Sequence, residues 1–401
     1  MQLRYRYRLY PSADQRRALA RAFGCARVVF NDGLRAREEA FAARLPYVTD
    51  GELSRRLTAT KAAPERTWLT EVSAVVLQQA LADLNVAYRN FFASGTHKRK
   101  GPRVQAPRFR SRKDHRQAIR FTANARFKIT SDRKLRLPKI GEIPVRWSRS
   151  LPSVPSSVTV IRDAAGRYFA SFVVETETSV LPETEAVLGI DLGLTHFAVL
   201  SDGRKITSPQ FLRRAEKNLR RAQRSMSRKD KGSRNQDKAR AKVARKHARV
   251  ADARRDFHHQ LSTALIRENQ AVAVEDLAVK GLARTPMAKS VHDAGWSAFT
   301  AMLAYKARLN GRTFIRIGRY EPTSQVCSAC RANGGPKPLH IRLWQCQWCG
   351  MWLDRDINAA VNVAKAAGLA AAACGAQVRP EQTWHSAAKQ EPTGSHAQKT
   401  A

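Results

Sequence analysis

Three carboxylates stand where the chain of 401 residues changes direction. Asp191 closes the apolar run Val187-Leu-Gly-Ile and is followed at once by Leu192 and Gly193. Glu275 closes Ala271-Val-Ala-Val and has a second acid, Asp276, beside it. Asp356 lies at the head of a helical stretch in Asp354-Arg-Asp-Ile-Asn-Ala-Ala360. An acid that ends a buried strand sits at the lip of a sheet, and acids from separate elements can converge there. Such a set can hold two divalent ions about 3.5–4 Å apart, which activate water and clamp a scissile phosphodiester. Hard oxygen ligands select Mg²⁺ or Mn²⁺. A single Asp at a strand end caps a turn as readily as it binds a metal. The three in this order carry the weight.

A second constellation is sulfur-based. Cys327-Ser-Ala-Cys330 and Cys346-Gln-Trp-Cys349 are paired CxxC knuckles, the spacing of a closed four-thiolate Zn²⁺ site. Four protein ligands leave no position for water, so such a site is structural. The other two cysteines, Cys25 and Cys374, stand far apart, which favours a reducing cytoplasm over a disulfide framework.

These groups sit in a strongly basic chain: 72 Lys and Arg oppose 33 Asp and Glu, a formal net charge of +39. That imbalance suits a polyanion, because each cation laid on a phosphate releases condensed counterions whatever the base sequence. No stretch approaches the roughly 20 apolar residues that span a bilayer, so no membrane partner is expected. Two segments concentrate the charge. Residues 95–116 read as a basic loop containing Lys98, Arg99, Lys100, Arg103, Arg108 and Arg110. From Lys205 to Val250, 17 Lys or Arg face three acids in a helical composition broken at Gly232-Ser233. Arg213, Arg214, Arg220, Arg221, Arg224 and Arg228 lie there, and a nucleic-acid grip explains them better than a solvated face. His258-His259 on the following basic helix reads as packing or phosphate contact rather than metal binding.

The elements that must position these residues follow from periodicity. Leu3, Tyr5, Tyr7 and Leu9 alternate with Arg4, Arg6 and Arg8, the period of a strand. Apolar positions recur at three and four from Asp14 to about Ala43, and again from Glu71 to Phe92, as amphipathic helices do. From about Ile119 to Glu177, short β-rich runs separated by turn residues predict a small β-barrel. Its first strand is taken to be Leu3–Leu9, with the helices as an insertion. Beyond a linker over 176–186 come a strand hairpin, a basic helical hairpin, a helix over 255–268, strands over 271–274 and 313–317, and helices over 295–309 and 357–366. That order describes an α/β layer. An actin-like or sugar-kinase ATPase also opens on an Asp-x-Gly hairpin, but neither a second phosphate-binding Gly-rich loop nor GxxxxGK[ST] is present.

Together, Gly189-Ile-Asp191-Leu-Gly193, Val274-Glu275-Asp276-Leu277, the two knuckles with Gly350, and Asp354-Arg-Asp-x-Asn-Ala-Ala360 closely resemble the TnpB family of transposon-encoded proteins, relatives of compact type V CRISPR effectors. Further similarity runs along nearly the whole chain, in Tyr10-Pro11, Pro107-Arg-Phe-Arg110, Leu137-Pro-Lys-Ile-Gly141, Trp296 and Ser324-Gln325, and leaves the tail uncovered. Arg331 departs from it, standing where relatives often carry Gly after the second cysteine. The resemblance implies a multidomain α/β plus β-barrel fold. A RuvC, ribonuclease-H-like nuclease domain would occupy 181–322 and 354–370, interrupted by a zinc ribbon over 323–353. A barrel-shaped wedge domain would occupy 1–12 and 96–180 around a helical recognition domain over 13–95, and 371–401 would be a disordered tail.

The same resemblance implies a cytoplasmic, nucleoid-associated prokaryotic endonuclease that uses a guide RNA from its own element. It would cut double-stranded target DNA beside a short motif, with base pairing reading the sequence. A monomer is favoured. Asp191, Glu275 and Asp356 carry over as the catalytic, Mg²⁺-binding triad. Asp354 rivals the third of them, and Asp356 is preferred because it directly precedes the x-Asn-Ala-Ala element. Two alternatives stay open: a nuclease-inactive RNA-guided DNA-binding regulator, and a guide-independent transposase.

Overall fold

The structure, a computed structural model, describes residues 1–369 apart from His115 and Leu339. The expected tail over 371–401 and Cys374 lie outside the described residues. The chain divides after Thr176 into two compact units.

In the first unit, β1 (Gln2–Leu9) leads into α1 (Ala13–Ala42), α2 (Asp50–Ala62), a 3₁₀ turn over Pro64–Glu71, and α3 (Ala74–Gly95). Eight-residue alternation makes β1 a strand and buries Tyr7 and Leu9 on its apolar face. Ser12 and Gln15 close a reciprocal capping box that starts α1 where Pro11 ends the strand. The stripe Leu19, Phe23, Phe30 and Leu34 of α1 is buried in one core with Leu77, Leu81 and Leu84 of α3. Gly33 lets the two helices approach, since a Cβ there would stand 3.0 Å from Leu84. The α2 helix was not legible: it buries only Leu53 and Leu57, too few for a visible apolar period.

The described residues of 96–116 form no strand or helix. Then come β2 (Gln117–Thr122), β3 (Lys128–Ile129), β4 (Leu135–Leu137), β5 (Gly141–Ile143), β6 (Val145–Arg146), β7 (Ser157–Arg162) and β8 (Tyr168–Glu175). The ladders form a five-stranded antiparallel sheet, β2-β7-β8-β1-β6, and a separate meander, β3-β4-β5. The N-terminal strand pairs with β8 along its whole length, from Gln2↔Glu175 to Leu9↔Tyr168. The helices therefore fall in sequence between two strands of one sheet.

The second unit is built on β9 (Val187–Asp191), β10 (His196–Leu200) and β11 (Lys205–Thr207), followed by α4 (Phe211–Ser227), α5 (Arg234–Glu268) and β12 (Ala271–Glu275). Short helices α6 (Val279–Leu282) and α7 (Ala288–Ala294) precede α8 (Trp296–Leu309), β13 (Thr313–Ile317), the hairpin β14 (Leu343–Gln345) and β15 (Trp352–Asp354), and α9 (Arg355–Ala366). The sheet order is β11-β10-β9-β12-β13, antiparallel through the hairpins and parallel from β9 onward. Leu188, Ile190, Val272 and Val274 pack with Phe299 and Leu303 of α8 and Leu265 of α5, while α9 packs on β9 from Gly189.

Two expectations are corrected here. The Lys205–Val250 segment opens with a strand rather than a helix, and its second arm runs unbroken from Arg234 to Glu268 instead of stopping before a separate helix at 255. No Gly or Pro interrupts that arm, and Val243, Val250, His258 and Leu265 keep one buried face through it. His258 is a core residue: it lies against Phe197, Phe257 and Phe299, its Nε2 is 2.9 Å from the Ala294 carbonyl, and burial lowers its pKa.

Candidate functional site

Parallel pairing of β9 and β12, with Ile190 opposite Val274, brings Asp191 and Glu275 side by side at the same ends of neighbouring strands. Asp356 arrives from the other side of the chain, on the first turn of α9. Asp191 senses the other two. Burial at the sheet end lifts the Asp191 carboxyl from 3.8 to about 8, and the negative charges of Glu275 and then Asp356 add to the lift, against Arg355 and Arg342. Asp191 keeps partial exposure, so protein surrounds it without sealing it off.

Each acid has a distinct neighbour. Glu275 accepts a hydrogen bond from the Thr323 hydroxyl. Asp276 beside it pairs with Arg319 at 2.7 Å and Arg316 at 3.6 Å. Both Asp356 oxygens accept from Arg342 Nη1, at 3.0 and 3.3 Å. Asp354 is only 3 % exposed, and both of its oxygens are engaged. Oδ1 caps α9 by accepting from the amides of Asp356 (3.1 Å) and Ile357 (2.9 Å), and Oδ2 accepts from Lys205 Nζ at 3.0 Å.

The sulfur cluster is more compact. The four Sγ atoms of Cys327, Cys330, Cys346 and Cys349 lie within 4.8 Å of one another, and the carboxylates are not gathered so tightly. Sγ separations are 3.8 Å for Cys327–Cys349 and 3.6 Å for Cys330–Cys346. A tetrahedron of sulfurs about 2.3 Å from a central zinc has edges of about 3.8 Å, so the donors fit that ion. Left-handed φ values at Arg331 (65°) and Gly350 (70°) turn the chain after each knuckle.

Side chains that sequence reasoning missed tie this ribbon to the acids. Asn358 receives the Ser328 amide at 2.7 Å and donates to the Val326 carbonyl at 2.8 Å. Asn362 donates to Thr323 O (2.8 Å) and Val326 O (2.7 Å). Asn358 stood inside a motif that could have flagged it. Asn362, Thr323 and Lys205 carried no local signal.

Arg213, Arg214, Arg220, Arg221 and Arg224 on α4 and Arg228 at its C-terminal cap are all exposed, and all of them but Arg214 line one groove. Asp293 holds the start of that helix by accepting from the Leu212 amide at 2.9 Å. In the first unit, Lys98, Arg99, Lys100, Arg103 and Arg108 are exposed. Arg110 is used internally instead, stacked 3.7 Å over Phe30 and bonded to Asp83.

Residues 171–285 match a family profile described as a probable transposase, and 296–363 match one described as a Cas12f1-like TNB domain. A Streptomyces pristinaespiralis protein provisionally named an RNA-guided DNA endonuclease is 44 % identical, covering 97 % of this chain and 96 % of its own. The chain belongs to the TnpB family, the one its motifs resemble. InsQ of Escherichia coli strain K12, with the same provisional name, is 32 % identical over 97 % of each chain. A Cas12f1 solved with sgRNA and target DNA shares the fold, with a TM-score of 0.52 and 11 % identity over 90 % of this chain and 98 % of that one. Residues 1–45 match a profile described as a helix-turn-helix domain. Here they form one strand and one unbroken 30-residue helix. No helix among the described residues is long and apolar enough to cross a membrane.

Proposed function

We propose that this TnpB-family protein is an RNA-guided DNA endonuclease of a transposable element, cutting double-stranded DNA beside a short transposon-associated motif. Asp191, Glu275 and Asp356 would hold Mg²⁺ or Mn²⁺, two ions by the carboxylate count, and the cysteines one structural Zn²⁺. The carrying observation is the parallel register that sets Asp191 and Glu275 at neighbouring strand ends, with Asp356 in the first turn of α9; burial first, and then the charges of Glu275 and Asp356, lifts Asp191 to about 8, a cost that a divalent cation would relieve. Such ions, when bound, supply an activated water and stabilise the leaving oxygen.

The residues themselves do the positioning. Asp191 and Glu275 project from adjacent strand ends, Thr323 orients Glu275, and the cap at Asp354 sets the first turn that presents Asp356. Asp354 is buried and spent as the helix cap, held by Lys205, whereas Asp356 is partly exposed and held by the exposed Arg342, so Asp356 is the better third ligand. In domain terms, 181–322 with 354–370 act as the RuvC nuclease, 323–353 as the ribbon, 13–95 as the recognition helices, and 1–12 with 96–180 as the wedge barrel. The exposed arginines of α4 and the cations of 98–108 would grip the guide RNA and its heteroduplex by backbone and shape.

The test expresses the protein with its flanking DNA, sequences the RNA that copurifies, and measures plasmid cleavage in Mg²⁺. Asp191→Ala should retain the RNA and lose cutting. Equal cutting by the variant would refute the site.

A further inference from the structure

We infer that Lys205 is a positioning residue for the acid cluster: it fixes Asp354 as the cap of α9 and so sets where Asp356 stands relative to Asp191. The inference rests on the metal-dependent reading proposed above. In the antiparallel ladders Lys205 lies opposite Val199, and Val199 lies opposite Asp191. Residues directly opposite one another project to the same face, so Lys205, Val199 and Asp191 form one cross-strand row. Neighbouring strands stand about 4.8 Å apart, which puts the two ends of that row about 10 Å apart.

The start of α9 is held from this row. Lys205 Nζ reaches Asp354 Oδ2 at 3.0 Å, with side chains 19 % and 1 % exposed. The other Asp354 oxygen accepts from the Asp356 and Ile357 amides. One carboxylate therefore joins the sheet edge to the helix end, and its ammonium partner supplies the opposite charge that a buried carboxylate requires. One turn further along, Gly189 abuts the α9 backbone at Ala360. With the helix fixed against the sheet at both places, the first turn that carries Asp356 has little freedom.

Removing the ammonium strands Asp354 without a counter-charge. The cap reorients, the first turn loosens, and divalent-cation affinity falls even though Lys205 touches no metal. Partners of this kind typically change metal affinity by about 10–100-fold.

The test uses full-length protein with its bound RNA and reads Mn²⁺ binding by electron paramagnetic resonance beside cleavage as a function of Mn²⁺. Lys205→Met should weaken Mn²⁺ binding about tenfold and raise the Mn²⁺ needed for half-maximal cleavage equally, with cutting regained at saturating metal. Lys205→Arg should restore both. Asp354→Asn keeps a capping oxygen but sets an amide against the ammonium, and it should resemble Lys205→Met. A wild-type Mn²⁺ titration by Lys205→Met overturns the inference, as does an Asp354→Asn that matches Asp356→Asn in losing binding and cutting at every concentration. Should Lys205→Met fail to fold, Asp354→Asn decides between those outcomes. If Asp356→Asn itself bound Mn²⁺ and cut normally, the nuclease reading would fall instead.

Discussion

Gly189 of β9 and Ala360 of α9 meet backbone to backbone: a Cβ on Gly189 would stand 2.0 Å from the Ala360 carbonyl oxygen and 2.7 Å from the Ala364 amide nitrogen. The glycine two residues before Asp191 is thus the reason a helix can lie directly on that strand and carry Asp356 to its end.

Gly189→Ala therefore cannot be absorbed by a side-chain shift, because the obstacle is main chain. The helix must move outward or the strand must bend, at a cost of about 1–3 kcal/mol for overpacking. The expected result is a lowered melting temperature together with cleavage reduced well beyond the stability loss. Wild-type cleavage by a folded Gly189→Ala protein would count against this placement of α9.

The raised Asp191 carboxyl predicts a pH-dependent cost in the absence of divalent metal. An unfolded Asp ionises near 3.8, whereas the folded one retains its proton to about 8, so the folded state binds more protons between those values. Stability of the metal-free protein then falls as pH rises across that window, and levels off above it. Asp191→Asn removes the cost. It should melt higher than wild type at pH 8, by about 2–4 °C for each kcal/mol relieved, and equally at a pH below 4. Mg²⁺ should raise the wild-type midpoint at pH 8 and leave that of the variant nearly unchanged.

Zinc loss should reach the acids without zinc touching DNA. Cys327 is driven up by burial, so metal-free thiols there hold protons that an ion displaces. Once the knuckles open, the carbonyls of Thr323 and Val326 leave Asn358 and Asn362, and Thr323 no longer orients Glu275. Cys327→Ser, or a strong chelator, should release about one zinc per chain and reduce cleavage by on the order of 10-fold or more. Full activity after complete zinc removal, measured by elemental analysis, would separate the ribbon from the site.

The strand ends that carry Asp191 and Glu275 were legible because such ends announce themselves: an apolar run, a carboxylate and a turn at both positions. The cysteine spacing was legible for the same local reason. What escaped is long-range. Lys205 lies 149 positions from Asp354, and Thr323 lies 48 from Glu275. No periodicity encodes such pairings, since they follow from strand order rather than spacing. The two arms of the basic hairpin were read from charge, yet the continuity of α5 past Val250 to Glu268 depended on one buried face kept along its length, which composition alone does not reveal.

Arg331 offers a test in the opposite direction, toward greater stability. It holds φ at 65°, a conformation that costs an L side chain roughly 1–2 kcal/mol and costs glycine little. Arg331→Gly should stabilise the ribbon by up to about 1 kcal/mol once the glycine's larger unfolded entropy is subtracted. Slower zinc release to a chelator would register it.

The α4 arginines make the electrostatic prediction. Arg220, Arg221 and Arg224 are exposed along one helix, and only Arg220 has an acidic partner among the ion pairs described, Glu216. If they lie on RNA phosphates, replacing all three with Gln removes up to three counterion-releasing contacts without touching the acid cluster. The slope of log affinity against log salt should then flatten by about 0.7 per lost contact on single-stranded RNA, roughly two units in all. Affinity should fall most at low salt and converge with wild type at high salt, while kcat on saturated complex stays within about twofold. An unchanged slope with weaker binding at every salt concentration would mean the helix acts through shape, and that the cationic groove faces something other than a phosphate backbone.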